Sequence, residues 1–216
     1  SVLTAPKHFV GDGATTWGSS KTGNYKLDQG DMQFDEAALR QYFLPPYQAA
    51  IQAGAQSIMV SFSSWNGAKM HAQKYLLTDV LKTELGFKGF LISDWQAIDQ
   101  LSPDPYQNVV LSINAGLDMI MVPFAYQAFI KNLSMAVEKG DVPMTRIDDA
   151  VRRILRAKFE LGLFEQPYSD EAMRATVGST EHRAIAREAV AKSLVLLKND
   201  NQTLPIDKAT PVIFVA

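Results

Sequence analysis

Short apolar segments alternate with stretches of helical periodicity along the chain. Residues 2–9, 57–62, 89–94 and 118–123 are rich in β-branched and aromatic side chains, which is typical of buried strands. Apolar positions at helical spacing occur between and after them, over residues 35–43, 46–52, 76–85, 105–114 and 126–139. Residues 11–30 and 63–67 are polar and predicted to be loops, and we recognise no hairpin signal. The alternation predicts parallel strands joined by right-handed crossovers, the α/β class.

A different pattern begins after residue 140. Thr145 and Asp148 stand at capping-box spacing at the start of an amphipathic helix that Gly162 ends. Residues 167–179 are polar and irregular, residues 181–197 form a further amphipathic helix, and residues 211–215 begin another strand.

The number of strands leaves two architectures open. Four βα units in roughly 160 residues make about half of an eight-stranded (β/α)8 barrel of the TIM type. A small doubly wound sheet can also use four parallel strands. The pattern favours the barrel over the open sheet.

Composition excludes several classes of protein. The 216 residues are 47% apolar with a formal net charge of -2, so the chain can bury a substantial core. Lys+Arg 21 against Asp+Glu 23 gives no basic excess, which argues against nucleic acid as a partner. No apolar run reaches the ~20 residues of a membrane span. The absence of cysteine excludes disulfides and thiolate sites without fixing the compartment. Because both ends fall inside strand-like stretches, we expect an excerpt of a longer protein.

Polar side chains stand where two predicted strands end. Asp94 and Trp95 close one strand, and Lys7 and His8 lie near the end of another. Since catalytic groups of barrels sit at C-terminal strand ends, Asp94 is either a nucleophile or general base, or a capping aspartate. Lys7 and His8 are either hydrogen-bond donors to sugar hydroxyls or an oxyanion, or a surface pair, which is the commoner case. Asp118 precedes its strand and is assigned to stability.

Metal and phosphate chemistry fit the sequence poorly. His8, His71 and His182 lack the spacing of a zinc site, so His71 and His182 are predicted to be surface or packing residues. The Gly13 to Gly18 spacing is that of a phosphate-binding loop, but the required Lys and Ser/Thr do not follow Gly18 directly. We therefore predict no metal site and reject phosphate binding.

The three tryptophans point to a different ligand. Trp17, Trp65 and Trp95 all fall in predicted loops at the same end of the strands. Such residues often pack on neighbouring loops, but the C–H faces of sugars stack on indole rings. Three at one face favour a carbohydrate site.

Several longer motifs are familiar. They are KHFVGDG (7–13), SSWNG (63–67), KMH (69–71), GFKGFLISDW (86–95), AGLDM (115–119), RIDDA (146–150) and KSLVLLKN (192–199). In this order they make the chain resemble the family 3 glycoside hydrolases, most closely their exo-acting β-glucan glucohydrolases. The resemblance covers the chain nearly end to end.

The resemblance implies roles for five residues. Asp94 is implied to be the catalytic nucleophile, and Lys7 and His8 to hydrogen-bond the glucosyl unit that is cleaved off. Trp95 is implied to be one wall of an aromatic clamp, and Met59 a residue lining the site. A retaining glycosidase uses two carboxyl groups about 5–5.5 Å apart, one of them as a nucleophile that forms a glycosyl-enzyme. In this family the second is usually a glutamate in the following α/β domain, so none is named here.

Two positions refine the resemblance. Phe62 departs from many relatives, which have a tyrosine whose hydroxyl bonds the nucleophile. The N-acetylglucosaminidase branch carries a catalytic histidine where this chain has Asp12, which argues against that branch. Asp12 itself is predicted to bond backbone amides in a tight turn.

The resemblance also implies how the chain is divided and what it does. The implied parts are 1–165, the C-terminal half of the barrel, 166–180, a linker, and 181–216, the first helix and strand of an α/β sandwich domain. The implied activity is that of a retaining exo-β-glucosidase acting on β-1,3/β-1,4-glucans and releasing glucose, without a cofactor. A β-xylosidase, a broad β-glucosidase and a non-catalytic carbohydrate-binding relative are the alternatives. A polysaccharide substrate favours a periplasmic or secreted location.

Overall fold

The helices and strands are short and alternate along the chain. The computed structural model describes residues 2–22 and 25–214, and within them the strands are β1 (Asp31–Met32), β2 (Ser57–Met59), β3 (Ser64–Trp65), β4 (Ala68–Lys69) and β5 (Phe90–Ile92). The α-helices of the same residues are α1 (Glu36–Ala38), α2 (Pro45–Gln52), α3 (Pro105–Ala115), α4 (Tyr126–Glu138), α5 (Met144–Glu160) and α6 (Thr180–Ser193). Leu39–Phe43 and Tyr75–Glu84 are π-helical, and Asp12–Ala14, Met70–Ala72, Ala97–Gln100 and Glu171–Thr176 are 3-10 turns. None of these helices is long and apolar enough to span a membrane.

Four parallel segments lie side by side in chain order. Strand β2 pairs with β5, Phe9 bridges to Val60 on one side, and Ile92 bridges to Met119 on the other. Phe9 N donates to Met59 O at 2.7 Å, which continues the ladder outward. The predicted parallel order is therefore confirmed, and the ends of all four segments point the same way.

Two of the predicted strands are wrong in extent. Of residues 2–9 only Phe9 forms a β-bridge; Pro6 O accepts from Met59 N at 3.1 Å, but Pro6 has no N–H to donate, and residues 2–5 are exposed. Of residues 118–123 only Met119 pairs, because Val122 N turns back to Ile120 O at 3.1 Å. The paired parts of these two strands are therefore shorter than the apolar runs suggested.

The predicted loop at 63–67 is a hairpin instead. Strands β3 and β4 pair antiparallel, with β1 parallel to β3 on the far side. Asn66 and Gly67, at the turn, have φ values of 49° and 83°. Left-handed backbone at both central residues is what a two-residue Asn-Gly hairpin requires. The expectation that no hairpin occurs was wrong, and Asn66-Gly67 was the signal.

The helix boundaries follow local chemistry. Asp35 caps the first helix through Ala38 N at 2.8 Å, and Gly116 ends α3 with a φ of 118°. The capping box is wrong, because α5 begins at Met144, which leaves Thr145 inside the helix. Asp148 faces Arg152 at 3.7 Å on the exposed side.

The core lies between the parallel segments and the helices that follow them. Phe9, Ile58, Val60 and Leu91 are fully buried on the sheet. Side chains of the Tyr75–Glu84 helix pack against them. Removing apolar surface from water stabilises the folded state by about 25 cal/mol per Å². This burial therefore holds the strand ends in fixed positions.

Asp118 anchors a buried ion network at the start of its segment. Its carboxylate accepts from Lys82 Nζ at 2.8 Å and Leu91 N at 2.8 Å, and from Arg146. Burial lowers the pKa of Lys82 to about 8, although Asp118 acts in the opposite direction. The side chain of Asp118 is fully buried, so its position agrees with the stability role predicted for it.

In the second unit, Tyr168–Ala216, the described residues up to 214 form a short 3-10 turn and one α-helix. Ser179 caps α6 through His182 N at 3.3 Å. The helix ends at Ser193 rather than at residue 197. Residues 211–214 form no strand, and Val215 lies outside the described residues.

Candidate active site

Asp94 lies directly after β5, where the parallel ladder ends. Ser93 N is the last ladder donor, bonding Met119 O at 2.9 Å, and Ser93 Oγ accepts from Met121 N at 2.7 Å. These two bonds tie the end of β5 to its neighbour. The side chain of Asp94 is 23% exposed, so it reaches solvent from a fixed strand end.

His8 stands between two carboxylates. Its Nε2 is 3.6 Å from Asp94 Oδ2, and its Nδ1 is 2.9 Å from Asp12 Oδ2. The pairing of Phe9 with Val60 holds His8 beside the end of β2. The structure therefore brings together two residues, His8 and Asp94, that are 86 positions apart in the sequence.

Asp12 does not play the part predicted for it. Its Oδ1 accepts from Ser61 Oγ at 3.1 Å, and Ser61 Oγ is 2.7 Å from Ser63 Oγ. The tight turn at Gly11, with a φ of 84°, brings Asp12 back against the imidazole four residues earlier. Its carboxylate thus contacts an imidazole and a hydroxyl rather than backbone amides, so the earlier prediction was wrong.

His71 is a buried partner of Asp94 that the sequence did not reveal. It is 1% exposed, and its Nε2 accepts from Asp94 N at 3.0 Å. Burial, and then Lys69 and His8, lower the pKa of His71 to about 3, so the ring is neutral. In the sequence, the only signal for a role of His71 was its place in the KMH motif. Its spacing from the other histidines did not indicate a partner.

The remaining predicted residues surround the pair less closely. Lys7 lines a cavity of about 530 Å³ together with His8 and Asp12. Among the described residues no ion pair joins Lys7 to Asp94. Met59 is half-buried in β2, in register with Ile92.

Aromatic rings flank the site unevenly. Trp95 N donates to Asp94 Oδ1 at 2.6 Å, and the indole is 55% exposed. It meets Phe124 edge to face at 6.4 Å between ring centroids. Trp65 is half-buried in β3, and its Nε1 donates to Phe34 O at 2.9 Å. It therefore does not provide the free stacking surface that was predicted.

Phe62 lies beside His71. The Phe62 ring lies 6.2 Å from the His71 ring and carries no hydroxyl toward Asp94.

Within residues 2–22 and 25–214, no group of three His, Cys, Asp or Glu side chains is arranged to hold a metal ion.

Comparison with known proteins identifies the family of the chain. Residues 1–157 match the glycosyl hydrolase family 3 N-terminal domain. The exo-1,3/1,4-β-glucanase of a Pseudoalteromonas species superposes with a TM-score of 0.79 at 45% identity, over 93% of this chain and 25% of that one. The β-glucosidase of Listeria innocua, solved with glucose, gives 0.78 at 34% identity over 94% of this chain and 28% of that one. The periplasmic β-glucosidase of Salmonella typhimurium is 34% identical over 100% of this chain and 28% of its own length.

These features define an α/β domain of the TIM-barrel type with a carboxylate at a strand end. The chain belongs to glycosyl hydrolase family 3, through the N-terminal domain of that family. It spans about a quarter to a third of the length of the relatives it matches.

Proposed function

We propose that the complete polypeptide is a retaining exo-acting β-glucosidase that uses Asp94 as its nucleophile. It releases glucose from the non-reducing end of β-1,3/β-1,4-glucans. One observation carries the proposal: an accessible carboxylate at a strand end, 3.6 Å from the imidazole of His8, in a chain 45% identical to an exo-1,3/1,4-β-glucanase.

The contacts of Asp94 suit nucleophilic attack. Trp95 N–H bonds Oδ1 and stabilises the negative charge. Asp94 attacks the anomeric carbon as the glycosidic bond breaks, and an acid protonates the departing oxygen. Water then cleaves the glycosyl-enzyme, with the same group acting as base. We place that acid/base, by resemblance a glutamate, outside this chain.

Lys7, His8, Met59 and Trp95 make up the substrate side of the proposal. Lys7 and His8 bond hydroxyls of the departing glucosyl unit, Met59 lines its pocket, and Trp95 stacks on the next sugar. The exposed indole and the partly exposed imidazole are accessible for these contacts. No cofactor takes part in this chemistry.

The chain's place in the complete polypeptide is part of the same proposal. We assign residues 1–165 to the second half of a (β/α)8 barrel, 166–180 to a linker, and 181–216 to the start of an α/β sandwich domain. The family match, which ends at residue 157, and the compact unit that ends at Pro167 support these boundaries.

Substrate preference is the point at which the alternatives differ. A β-xylosidase of Formosa agariphila is 34% identical over 95% of this chain, so a xyloside substrate or a broad β-glucosidase is the nearest rival. Initial rates on aryl glucoside, aryl xyloside and laminarin distinguish them. We expect activity on the glucoside and laminarin, and a preference for the xyloside would contradict the proposal.

The proposed nucleophile is tested in the complete polypeptide. Asp94→Ala should lower kcat by about 10⁴-fold or more, because a covalent nucleophile is lost. Asp99→Ala, which changes an exposed aspartate five residues on, should stay near the wild-type rate. With azide added, Asp94→Ala should form the α-glucosyl azide, since azide attacks from the face that Asp94 vacates. Turnover near the wild-type rate in Asp94→Ala would mean that Asp94 is not the nucleophile, and an inactive wild type would favour a non-catalytic carbohydrate-binding relative.

A further inference from the structure

A buried imidazole lies behind the proposed nucleophile. His71, on the short turn Met70–Ala72, is 1% exposed, so it is out of reach of a substrate in the site. Its Nε2 accepts from the backbone N–H of Asp94 at 3.0 Å. Because Nε2 accepts, the ring proton of neutral His71 must sit on Nδ1.

The backbone explains why an acceptor is needed at this point. Ser93 N is bonded to the neighbouring segment, and Trp95 N is bonded to the side chain of Asp94. The N–H of Asp94 lies between them, at the residue where the ladder has ended. Without His71 this N–H would lose its bond, and an unbonded buried donor favours a different backbone conformation.

We propose that His71 is a positioning residue, which holds the backbone of Asp94 so that its carboxylate is aimed at the anomeric carbon. This inference rests on the proposed nucleophilic role of Asp94. The main chain of Asp94 is held at both polar atoms: its N–H donates to Nε2 of His71, and its carbonyl oxygen accepts from Ser93 Oγ at 3.0 Å and from Ala97 N at 3.3 Å. The bond from Trp95 N–H to Oδ1 orients the carboxylate, and His8 Nε2 lies 3.6 Å from Oδ2. Of the main-chain contacts, only the one with His71 engages the N–H.

The surroundings of His71 suit this task. Burial and the neighbouring Lys69 lower the pKa of the ring and keep it unprotonated at neutral pH, so that its lone pair stays available to Asp94 N. The Phe62 ring lies edge to face with the imidazole at 6.2 Å between ring centroids, so the imidazole is packed as well as buried. A packed and buried hydrogen-bond acceptor orients the group that donates to it.

Two variants of similar length test the inference in the complete polypeptide. His71→Gln keeps an acceptor oxygen near the position of Nε2, and His71→Met fills the same space with a thioether sulfur, which accepts only weakly. We expect kcat on aryl glucoside to be about 10–100-fold lower in the Met variant than in the Gln variant, since a misplaced reacting group costs up to ~10²-fold. KM should differ by less than about threefold, because the substrate contacts are untouched.

The first chemical step gives a second readout. A 2-deoxy-2-fluoroglucoside with a good leaving group accumulates the glycosyl-enzyme, so its inactivation rate reports attack by Asp94. That rate should fall in parallel with kcat in the Met variant, whereas a purely structural role would lower the amount of folded enzyme and leave the rate per active molecule unchanged. Equal kcat values in the Gln and Met variants would overturn the inference.

Control outcomes separate this inference from the proposed function. If Asp94→Ala is inactive and the Gln and Met variants behave alike, the positioning role is wrong and the nucleophile stands. If Asp94→Ala retains turnover, the proposed function itself fails. Should the Met variant not fold, His71→Gln decides alone: kcat within about threefold of wild type supports the inference, and any greater loss overturns it.

Discussion

Acid should destabilise the protein through His71. The ring is fully buried and neutral, and its pKa is lowered from 6.5 to about 3 by burial, with Lys69 and His8 acting in the same direction. Below pH 6.5 the unfolded chain binds a proton at this histidine, while the folded chain does not until about pH 3. The stabilisation is therefore complete above pH 6.5 and is lost as the pH falls through this window.

The expected size follows from the two pKa values. Stability falls by about 1.4 kcal/mol for each pH unit between them, so His71 alone contributes a loss of about 2–3 kcal/mol on going from about pH 7 to about pH 4.5. Carboxylates add their own dependence on pH. That part cancels when wild type is compared with His71→Gln, which carries no titrating group at this position.

The measurement is urea unfolding of the complete polypeptide at about pH 7 and about pH 4.5, followed by tryptophan fluorescence. Wild type should lose about 2–3 kcal/mol more than His71→Gln over this interval. His182→Gln, a change at an exposed histidine, should behave like wild type. Equal losses in wild type and His71→Gln would refute the claim that His71 is held neutral by burial.

Three further predictions concern other contacts. Asp12→Asn should lower kcat/KM by about tenfold while leaving Tm nearly unchanged, because His8 loses the charged partner that fixes its tautomer; an unchanged pH–rate profile and kcat/KM would contradict this. Asp118→Ala should destabilise by about 3–5 kcal/mol in a thermal melt, since a buried lysine and arginine lose their partner, whereas Asp148→Ala on the exposed face should cost less than about 1 kcal/mol. Phe124→Ala should raise KM for laminaribiose by about fivefold with kcat unchanged, because an aromatic wall beside the exposed tryptophan is removed; a fall in kcat at constant KM would point to a different role.

Local rules were sufficient to predict much of the fold. The helix ends at Gly116 and Gly162 follow from residues that tolerate left-handed backbone, and the parallel order follows from the strand–helix alternation. Strand lengths could not be predicted in the same way. Whether Ile120 continues a strand or turns depends on which neighbour is available to pair with it, and an apolar run does not record that.

The residues of the candidate site also differ in whether local sequence signals could point to them. Asp94, His8 and Trp95 were predicted as site residues because each stands at a strand end or in a recognisable motif. Asp12 and His71 were assigned to turns or packing, because their partners lie far away in sequence or in the main chain. A hydrogen bond from a backbone N–H to a side chain 23 positions earlier leaves no periodic pattern to detect.

The placing of the imidazoles accounts for the separation of tasks in the candidate site. Because Nδ1 of His8 lies 2.9 Å from the Asp12 carboxylate, which can only accept, Nδ1 carries a proton and donates to it. Nε2 then faces Asp94 Oδ2 at 3.6 Å and is the ring atom left to contact a sugar hydroxyl. His71 also carries its proton on Nδ1, but its Nε2 already accepts from the N–H of Asp94 and the ring is not exposed to substrate. One histidine is thus free to contact the sugar and the other to hold the aspartate, so changes at His8 should alter KM, and changes at His71 should act on kcat.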